Sequence, residues 1–422
     1  MPVTRRDIVR SAAILAGSGL VHPSSPRAQG TGATGAGPTN APLRIGVLTD
    51  MTGPSADSSG PGAVVAVRMA VEDFGGRVSG RPIEVLSADH QNKADVGAAI
   101  ARGWYDQGVD VIVDLTNSAV SLAVQDLARQ KQRLALHVSP ASSDLTGRAC
   151  SPFGLHWTYD TYALASGTAA AVTKRGGRSW FFLTTDYAFG HALARDAGDV
   201  VKRLGGSIAG EIRHPLNAPD FSSYLLQAQA SRAQVVGLAN GSGDTINAIK
   251  QAHEFGLAQA GQTIAALLLF ISDVHAIGLE AAQGVMLTEA FYWDQTDETR
   301  AWSKRFGSRF NGRMPSMLQA GDYTAVTHYL RAIERAGTAD AAVVMAAMKA
   351  APISDFMTKR GWIREDGRVM RDMYLYRVKS PAASRGPWDY YDLVATIAPE
   401  EAFRPLAAGQ CPLVAPFAGS GR

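Results

Sequence analysis

From residue 43 onward, short apolar runs rich in β-branched residues alternate with longer stretches whose apolar residues recur three and four apart. The first pattern predicts buried strands and the second amphipathic helices, and their alternation predicts consecutive βα units on a parallel sheet. Strands are expected at 43–48, 83–88, 109–115 and 134–138, with helices at 63–74, 96–106 and 121–130 between them. After Thr158 the pattern restarts. Strands are expected at 180–184, 207–212, 235–238 and 264–271, and helices at 191–204, 221–230 and 245–254. No short solenoid-type repeat interrupts this two-block organisation.

The last third departs from it. A strand at 285–292 is followed by three helices, at 299–310, 323–336 and 341–350, and then by strand-like segments at 373–378 and 390–397. Three helices added after the second block are best explained by a return of the chain to the first. The expected fold is therefore α/β, with two Rossmann-like lobes on parallel-rich sheets hinged by several crossings. Lobe 1 takes residues 41–158 plus 290–365, and lobe 2 takes 159–289 plus 366–422. Open α/β sheets bind ligands outside the carboxyl ends of their strands, so two facing sheets share one cleft, which suits a hinged binder.

Composition removes several functions. The 41 Lys+Arg and 38 Asp+Glu leave a net charge of +3, which selects no nucleic-acid partner. The chain has no phosphate loop, dinucleotide glycine fingerprint, nucleophile elbow, H-E-x-x-H or C-x-x-C. Its nine histidines are scattered singly, without the spacing that would place two on one helix face. No catalytic residue, metal or cofactor is therefore expected. A ligand-sensing protein without a transport role and a secreted enzyme remain the alternatives to a receptor.

The N-terminus predicts a compartment. Arg5 and Arg6 precede an apolar stretch at 12–21 and the small-residue zone Ala28-Gln29-Gly30. That is a basic region, a short apolar region and a cleavage zone, too short for a spanning helix. Residues 1–30 read as an export signal of twin-arginine character, although Asp7 is unusual beside the pair and keeps the general secretory route open. Residues 31–40 read as a flexible leader, and the mature chain as a soluble periplasmic protein. The two cysteines, Cys150 and Cys411, match no zinc spacing, and an oxidising compartment favours one disulfide between them.

Five landmarks resemble a known family. They are Ile45-Gly46-Val47 with Thr52-Gly53-Pro54, the segment from Leu136 through Ser139-Pro140-Ala141 to Ser143, and Asp186-Tyr187-Ala188-Phe189-Gly190-His191. Gln251-Ala252-His253-Glu254-Phe255-Gly256-Leu257 and the Trp293-Asp294 that follows Phe291-Tyr292 complete the set. In order and spacing the chain resembles the type I periplasmic solute-binding proteins of ABC importers, the group containing the leucine/isoleucine/valine-binding protein. Beyond Gly361 the resemblance narrows to a subset that binds amino acids or aromatic acids. The resemblance implies a monomer that captures a small carboxylate-bearing ligand and delivers it to an ABC permease in the inner membrane.

It also implies a site. Asn117 and Ser118 follow the 109–115 strand at a helix start, where capping and carboxylate binding are compatible. Ala141 offers its backbone, and Ser143 its amide or hydroxyl, to the same carboxylate. Tyr187 and Phe189 are placed to wall off an apolar ligand body. Phe189 also reads as packing under its own helix, and the family often has tyrosine there. Tyr159 lies at the first crossing, as hinge packing or as cleft lining. Asn240 opens Asn240-Gly241-Ser242-Gly243-Asp244, where a glycine in place of a family aromatic implies a differently shaped pocket. Asp273 reads as the partner of a ligand ammonium or as a helix cap.

Overall fold

A computed structural model describes residues 41–414. The expected export signal and leader lie outside them. The first block runs β1 (Leu43–Thr49), α1 (Gly60–Asp73), β2 (Arg77–Val78), β3 (Arg81–Asp89), α2 (Ala94–Asp106), β4 (Val111–Asp114), α3 (Ser118–Lys131), β5 (Leu134–His137) and β6 (Gly154–His156). Its sheet has the order β2-β3-β1-β4-β5-β6 and is parallel except for the β2/β3 pair. The strands β1, β4 and β5 read as near-continuous apolar runs because both faces are covered, whereas β3 is partly exposed. Leu43, Ile45 and Val47 are fully buried on this sheet.

The chain then crosses through α4 (Thr161–Leu164), a π-turn at Ala165–Ala169 and α5 (Ala170–Lys174). The second block follows as β7 (Ser179–Thr185), α6 (Ala188–Arg203), β8 (Ser207–His214), α7 (Ser222–Ala230), β9 (Val235–Ala239), α8 (Gly243–Glu254) and β10 (Thr263–Ala266). Its sheet, β10-β9-β7-β8, is wholly parallel. The two sheets share one winding: β1 lies between β3 and β4 as β7 lies between β8 and β9. Each sheet therefore has its switch point beside its first strand, and the loops there are free to hold a ligand.

After α9 (Ile271–Ile277), α10 (Leu279–Ala282) and β11 (Met286–Glu289) come α11 (Asp297–Arg309), α12 (Met317–Ala336) and α13 (Ala341–Ala350). These three helices return to the first block: Tyr329, Leu330 and Ile333 of α12 share a core with Ile45 and Val47. The hairpin β12 (Trp362–Ile363) and β13 (Val369–Met370) is bridged to β6 through His156 and Arg368. Strands β14 (Met373–Val378) and β15 (Tyr391–Ile397) form an antiparallel sheet with β11, and α14 (Pro399–Ala402) follows.

Two expectations on element bounds fail for identifiable reasons. The strand expected at 264–271 ends at Ala266, and α9 begins at Ile271, because Asp273 accepts the Phe270 N–H at 2.9 Å and starts a helix there. An unbroken apolar run has no period with which to mark that change. The helix expected from 323 begins at Met317, where the Ser316 hydroxyl accepts from Leu318 N at 3.1 Å and Gln319 Oε1 accepts from Ser316 N at 3.0 Å. This capping box adds six residues at the N-terminus.

Cys150 and Cys411 are bonded, with Cα atoms 5.6 Å apart across 261 residues of sequence. The bridge ties the tail beside the first crossing, where Arg404 also donates to Ser143 O at 3.0 Å. Arg368, fully buried, donates to Tyr159 O at 2.7 Å from the far side of that crossing.

Candidate functional site

The carboxyl ends of the two parallel sheets face a common cavity. It holds about 500 Å³ free of protein atoms, part of it continuous with solvent. Pro54, Ser55 and Ser58 line it from the β1–α1 loop, and Asn92 from the β3–α2 turn. Thr116 and Ser118 contribute from the end of β4, Ser139 and Ala141 from the end of β5, and Leu318 from the start of α12. The second block supplies Thr185, Tyr187 and Phe189 after β7 and Leu216 after β8. Gly241, Ser242 and Asp244 follow β9, and Leu268 and Phe270 follow β10. Tyr159, on the crossing, completes the lining. The two walls touch, with the Ser55 and Ser242 hydroxyls 3.2 Å apart.

The first wall is built on a backbone turn. Asp114 and Leu115 both have left-handed φ, +77° and +63°, which costs roughly 1–3 kcal/mol per non-glycine residue and is held by the surroundings. The turn sets Asn117 as the cap of α3, its Oδ1 accepting from Ala119 N at 2.9 Å and Val120 N at 3.2 Å. Ser118 is then the first helical residue. Its Oγ accepts from Ser142 N at 3.2 Å, so its own proton is free to donate. The Ala141 amide makes no hydrogen bond among the described residues, while its carbonyl accepts from Thr161 N at 2.7 Å. A hydroxyl, a free amide and a helix N-terminus thus converge, which is how a carboxylate is bound without an opposing cation.

Beneath that wall lies Asp114, fully buried. Its Oδ2 accepts from Ser59 at 2.8 Å and Thr116 at 2.9 Å, and its Oδ1 accepts from Ser139. Burial holds its carboxyl above the ordinary value, against the pull of hydrogen bonds from Ser139, Thr49, Ser59 and Thr116.

The second wall is mostly apolar. The Tyr187 and Phe189 rings lie 5.9 Å apart at 45°, on a turn that only glycine permits at 190, since a Cβ there would stand 2.0 Å from Thr185 O. Phe189 both lines the cavity and joins the core under α6. Its polar members are Thr185, Ser242 and Asp244; Asp244 lies in the first turn of α8, and its two oxygens accept from Ala218 N at 2.8 Å and Asn217 N at 3.1 Å. Burial pushes this carboxyl up, against the pull of those amides and of His214. Among the described residues, Asp244 is the one carboxylic acid lining the cavity, and no lysine or arginine joins it there.

Of the residues expected from sequence, Ser118, Ala141, Tyr159, Tyr187 and Phe189 line the cavity. Asn117, Ser143, Asn240 and Asp273 do not, and each has its polar atoms engaged elsewhere. Asn117 is used on the α3 cap and on Asn92 Oδ1 at 3.3 Å. The Ser143 hydroxyl donates to Asp196 at 2.7 Å and its amide to Thr161 Oγ1 at 3.1 Å. The Asn240 amide group meets His214 Nε2 at 3.1 Å, and its carbonyl accepts from Thr245 at 2.8 Å. Asp273 caps α9 and is buried; burial pushes its carboxyl up to about 7, and buried Glu289 nearby is also pushed well up, by burial and by Asp273.

Sequence reasoning missed Thr116 and Ser139, whose role comes only through Asp114, and Asp244, which reads as an ordinary first-turn acid. Leu268 and Phe270 were hidden in the apolar run after β10. Asn92 carries the one local signal, lying with Gln91 in left-handed backbone at +56° and +53°, a conformation asparagine tolerates.

Two doubly wound sheets closing on one cavity define a hinged solute-binding fold. The chain belongs to the periplasmic binding protein family, whose model matches residues 42–386. It is similar to a periplasmic binding protein from Burkholderia mallei, at 50% identity over 89% of this chain and 100% of that one, with a TM-score of 0.87. It is also similar to a branched-chain amino acid ABC transporter periplasmic ligand-binding protein from Burkholderia xenovorans (40% identity, 88% and 99% covered, TM-score 0.79). An amino acid ABC transporter substrate-binding protein from Pseudomonas fluorescens matches at 26% identity, 88% and 98% covered, with a TM-score of 0.79. No curated protein matches the chain. It is a substrate-binding protein of ABC transporters, a class that binds small molecules and interacts with permeases. Among the described residues no helix is long and apolar enough to cross a membrane.

Proposed function

We propose that this protein is a periplasmic receptor for an apolar L-amino acid, which it encloses between its lobes and presents to an ABC permease in the inner membrane. The observation that carries the ligand class is the charge of the lining: one acid, Asp244, and no cation. A zwitterion suits that balance. Its carboxylate meets neutral donors at Ser118 and Ala141, its ammonium meets an acceptor surface with Asp244 in reach of the same space, and its side chain meets Phe189, Leu216, Leu268 and Phe270. A ligand bearing only a carboxylate would enter beside a buried acid with no countercharge, and an uncompensated buried charge costs several kcal/mol. The relatives from Burkholderia xenovorans and Pseudomonas fluorescens point the same way by their names. Periplasmic residence, reached through a signal at 1–30, agrees with the family and with the Cys150–Cys411 bridge.

An aromatic acid is the second reading, favoured by Tyr159, Tyr187, Phe189 and Phe270 in one lining. Closure follows from population shift, since ligand touches both walls only when they meet. A thermal-shift and calorimetric screen of apolar amino acids against aromatic carboxylates decides between the readings. At 100 times its dissociation constant the true ligand adds about 2.7 kcal/mol of stability. Stabilisation by benzoates and not by amino acids would overturn the amino-acid reading.

A further inference from the structure

The hydroxyls under the first wall have a fixed direction. Thr116 and Ser139 line the cavity, yet each also reaches Asp114: Thr116 at 2.9 Å to Oδ2, and Ser139 to Oδ1. Ser59 adds a third bond, at 2.8 Å, and Thr49 Oγ1 lies 3.0 Å from both Ser59 and Thr116 behind them. A hydroxyl has one proton and two lone pairs, and Asp114 accepts from the three hydroxyls that surround it. Thr116 Oγ1 also lies 3.1 Å from Ser59 Oγ, whose own proton goes to Asp114; with the protons of Thr116 and Ser139 taken up by this network, what they turn to the cavity is lone pairs.

Ser118 differs. Its Oγ accepts from Ser142 N and its proton is committed to no partner among the described residues, so it can donate into the cavity, beside the free Ala141 amide. One wall thus carries a donor half at Ser118 and Ala141 and an acceptor half at Thr116 and Ser139.

We infer that Asp114 is a positioning residue for ligand selectivity: without touching the ligand, it orients the hydroxyls of Thr116 and Ser139 as acceptors and so makes the first wall favour a ligand with a donor group beside its carboxylate. This rests on the amino-acid reading above. Asp114→Asn is the sharp test because it preserves shape, and asparagine accepts the left-handed backbone at 114. Its amide nitrogen donates, so at least one hydroxyl must accept from it and turn its proton to the cavity. An acceptor facing the ligand ammonium becomes a donor.

The experiment measures, by calorimetry on the mature chain, affinities for a panel of apolar L-amino acids and for their des-amino carboxylic acids. The expected result is a ratio of amino-acid to des-amino affinity at least tenfold lower in Asp114→Asn than in wild type, with both proteins folded by circular dichroism. Thr116→Val, which deletes one acceptor and leaves Asp114 in place, should lower the ratio in the same direction, and it decides the matter should Asp114→Asn not fold. A ratio within twofold of wild type in the folded variant overturns the inference, even if overall affinity falls, since a merely structural role weakens both ligands together. A wild-type chain that binds none of the amino acids overturns the functional reading itself, and the inference with it.

Discussion

The two walls of the cavity solve different problems with different materials. The first is polar and constrained: a left-handed pair at Asp114 and Leu115, a capped helix, and hydroxyls whose protons a buried acid directs. The second is a set of aromatic and aliphatic side chains, Tyr187, Phe189, Leu216, Leu268 and Phe270, around one acid, Asp244. Hydrogen bonds demand fixed directions, whereas apolar contact demands only shape and area. On the amino-acid reading proposed above, the rigid wall is therefore suited to the part of the ligand that every amino acid shares, and the apolar wall to the part that varies.

The largest effect that can break this contrast is loss of the disulfide, because it braces only one side. Cys411 and Arg404 hold the tail against Cys150 and Ser143, next to the segment that presents Ala141. Replacing both cysteines by serine should lower the free energy of unfolding, measured by urea denaturation, by several kcal/mol. The chain-entropy limit for a loop of 261 residues is about 5 kcal/mol. Calorimetry on the folded double variant should show weaker binding of all ligands with their order unchanged. An unaltered urea midpoint would show that the bridge braces nothing.

A smaller effect separates the walls directly. Ser118→Ala removes a donor to the carboxylate, and charge-assisted bonds contribute roughly 1.5–3 kcal/mol. Every ligand should lose affinity by a similar factor, on the order of tenfold to a hundredfold. Phe189→Ala should instead reorder the ligands, with bulky side chains losing most or gaining room. If Ser118→Ala reorders ligands and Phe189→Ala weakens all alike, the assignment of the walls is reversed.

The same contrast explains what could be read from sequence. Parallel strands such as 43–48 and helices with clear periodicity were legible because burial on two faces and on one face leave different patterns. The first wall was half legible: Ser118 and Ala141 sit beside short, recognisable turns, but the hydroxyl network depends on Asp114 at the end of an apolar strand, which no local pattern flags. On the second wall, Tyr187 and Phe189 were legible from the turn that needs Gly190. Leu268 and Phe270 were not, since an apolar run does not say where a strand stops. Asp273 and Asp244 show the limit most clearly. Each is an acid near the start of a helix after a strand of the same sheet, and only the three-dimensional path puts Asp244 in the cavity lining and leaves Asp273 buried outside it.

The smallest expected effect concerns the acids buried under each wall. Asp114 has four hydroxyl partners pulling against burial, whereas Asp273 has the Phe270 amide and the Ser272 side chain, and burial pushes it up to about 7. In the unfolded chain an aspartate ionises near its ordinary value of about 3.9. Between roughly pH 4 and 7 the folded state therefore holds a proton at Asp273 that the unfolded state has lost, so stability falls as pH rises through that window and levels off above it. Buried histidines act in the opposite direction: burial holds His90 down to about 4 and His137 down to about 3. Each must lose its proton on folding, so their contribution to stability rises with pH up to about 6.5, the ordinary histidine value. Asp273→Asn keeps the carbonyl that caps Phe270 and removes the titration. Its melting temperature should gain on wild type by a few degrees as pH is raised from 5 to 8, with Glu289 and the histidines contributing to both curves. Parallel curves would mean that Asp273 is ionised in the fold at neutral pH, and the contrast between an acid ringed by hydroxyls under the first wall and one with fewer partners in the second block would fail.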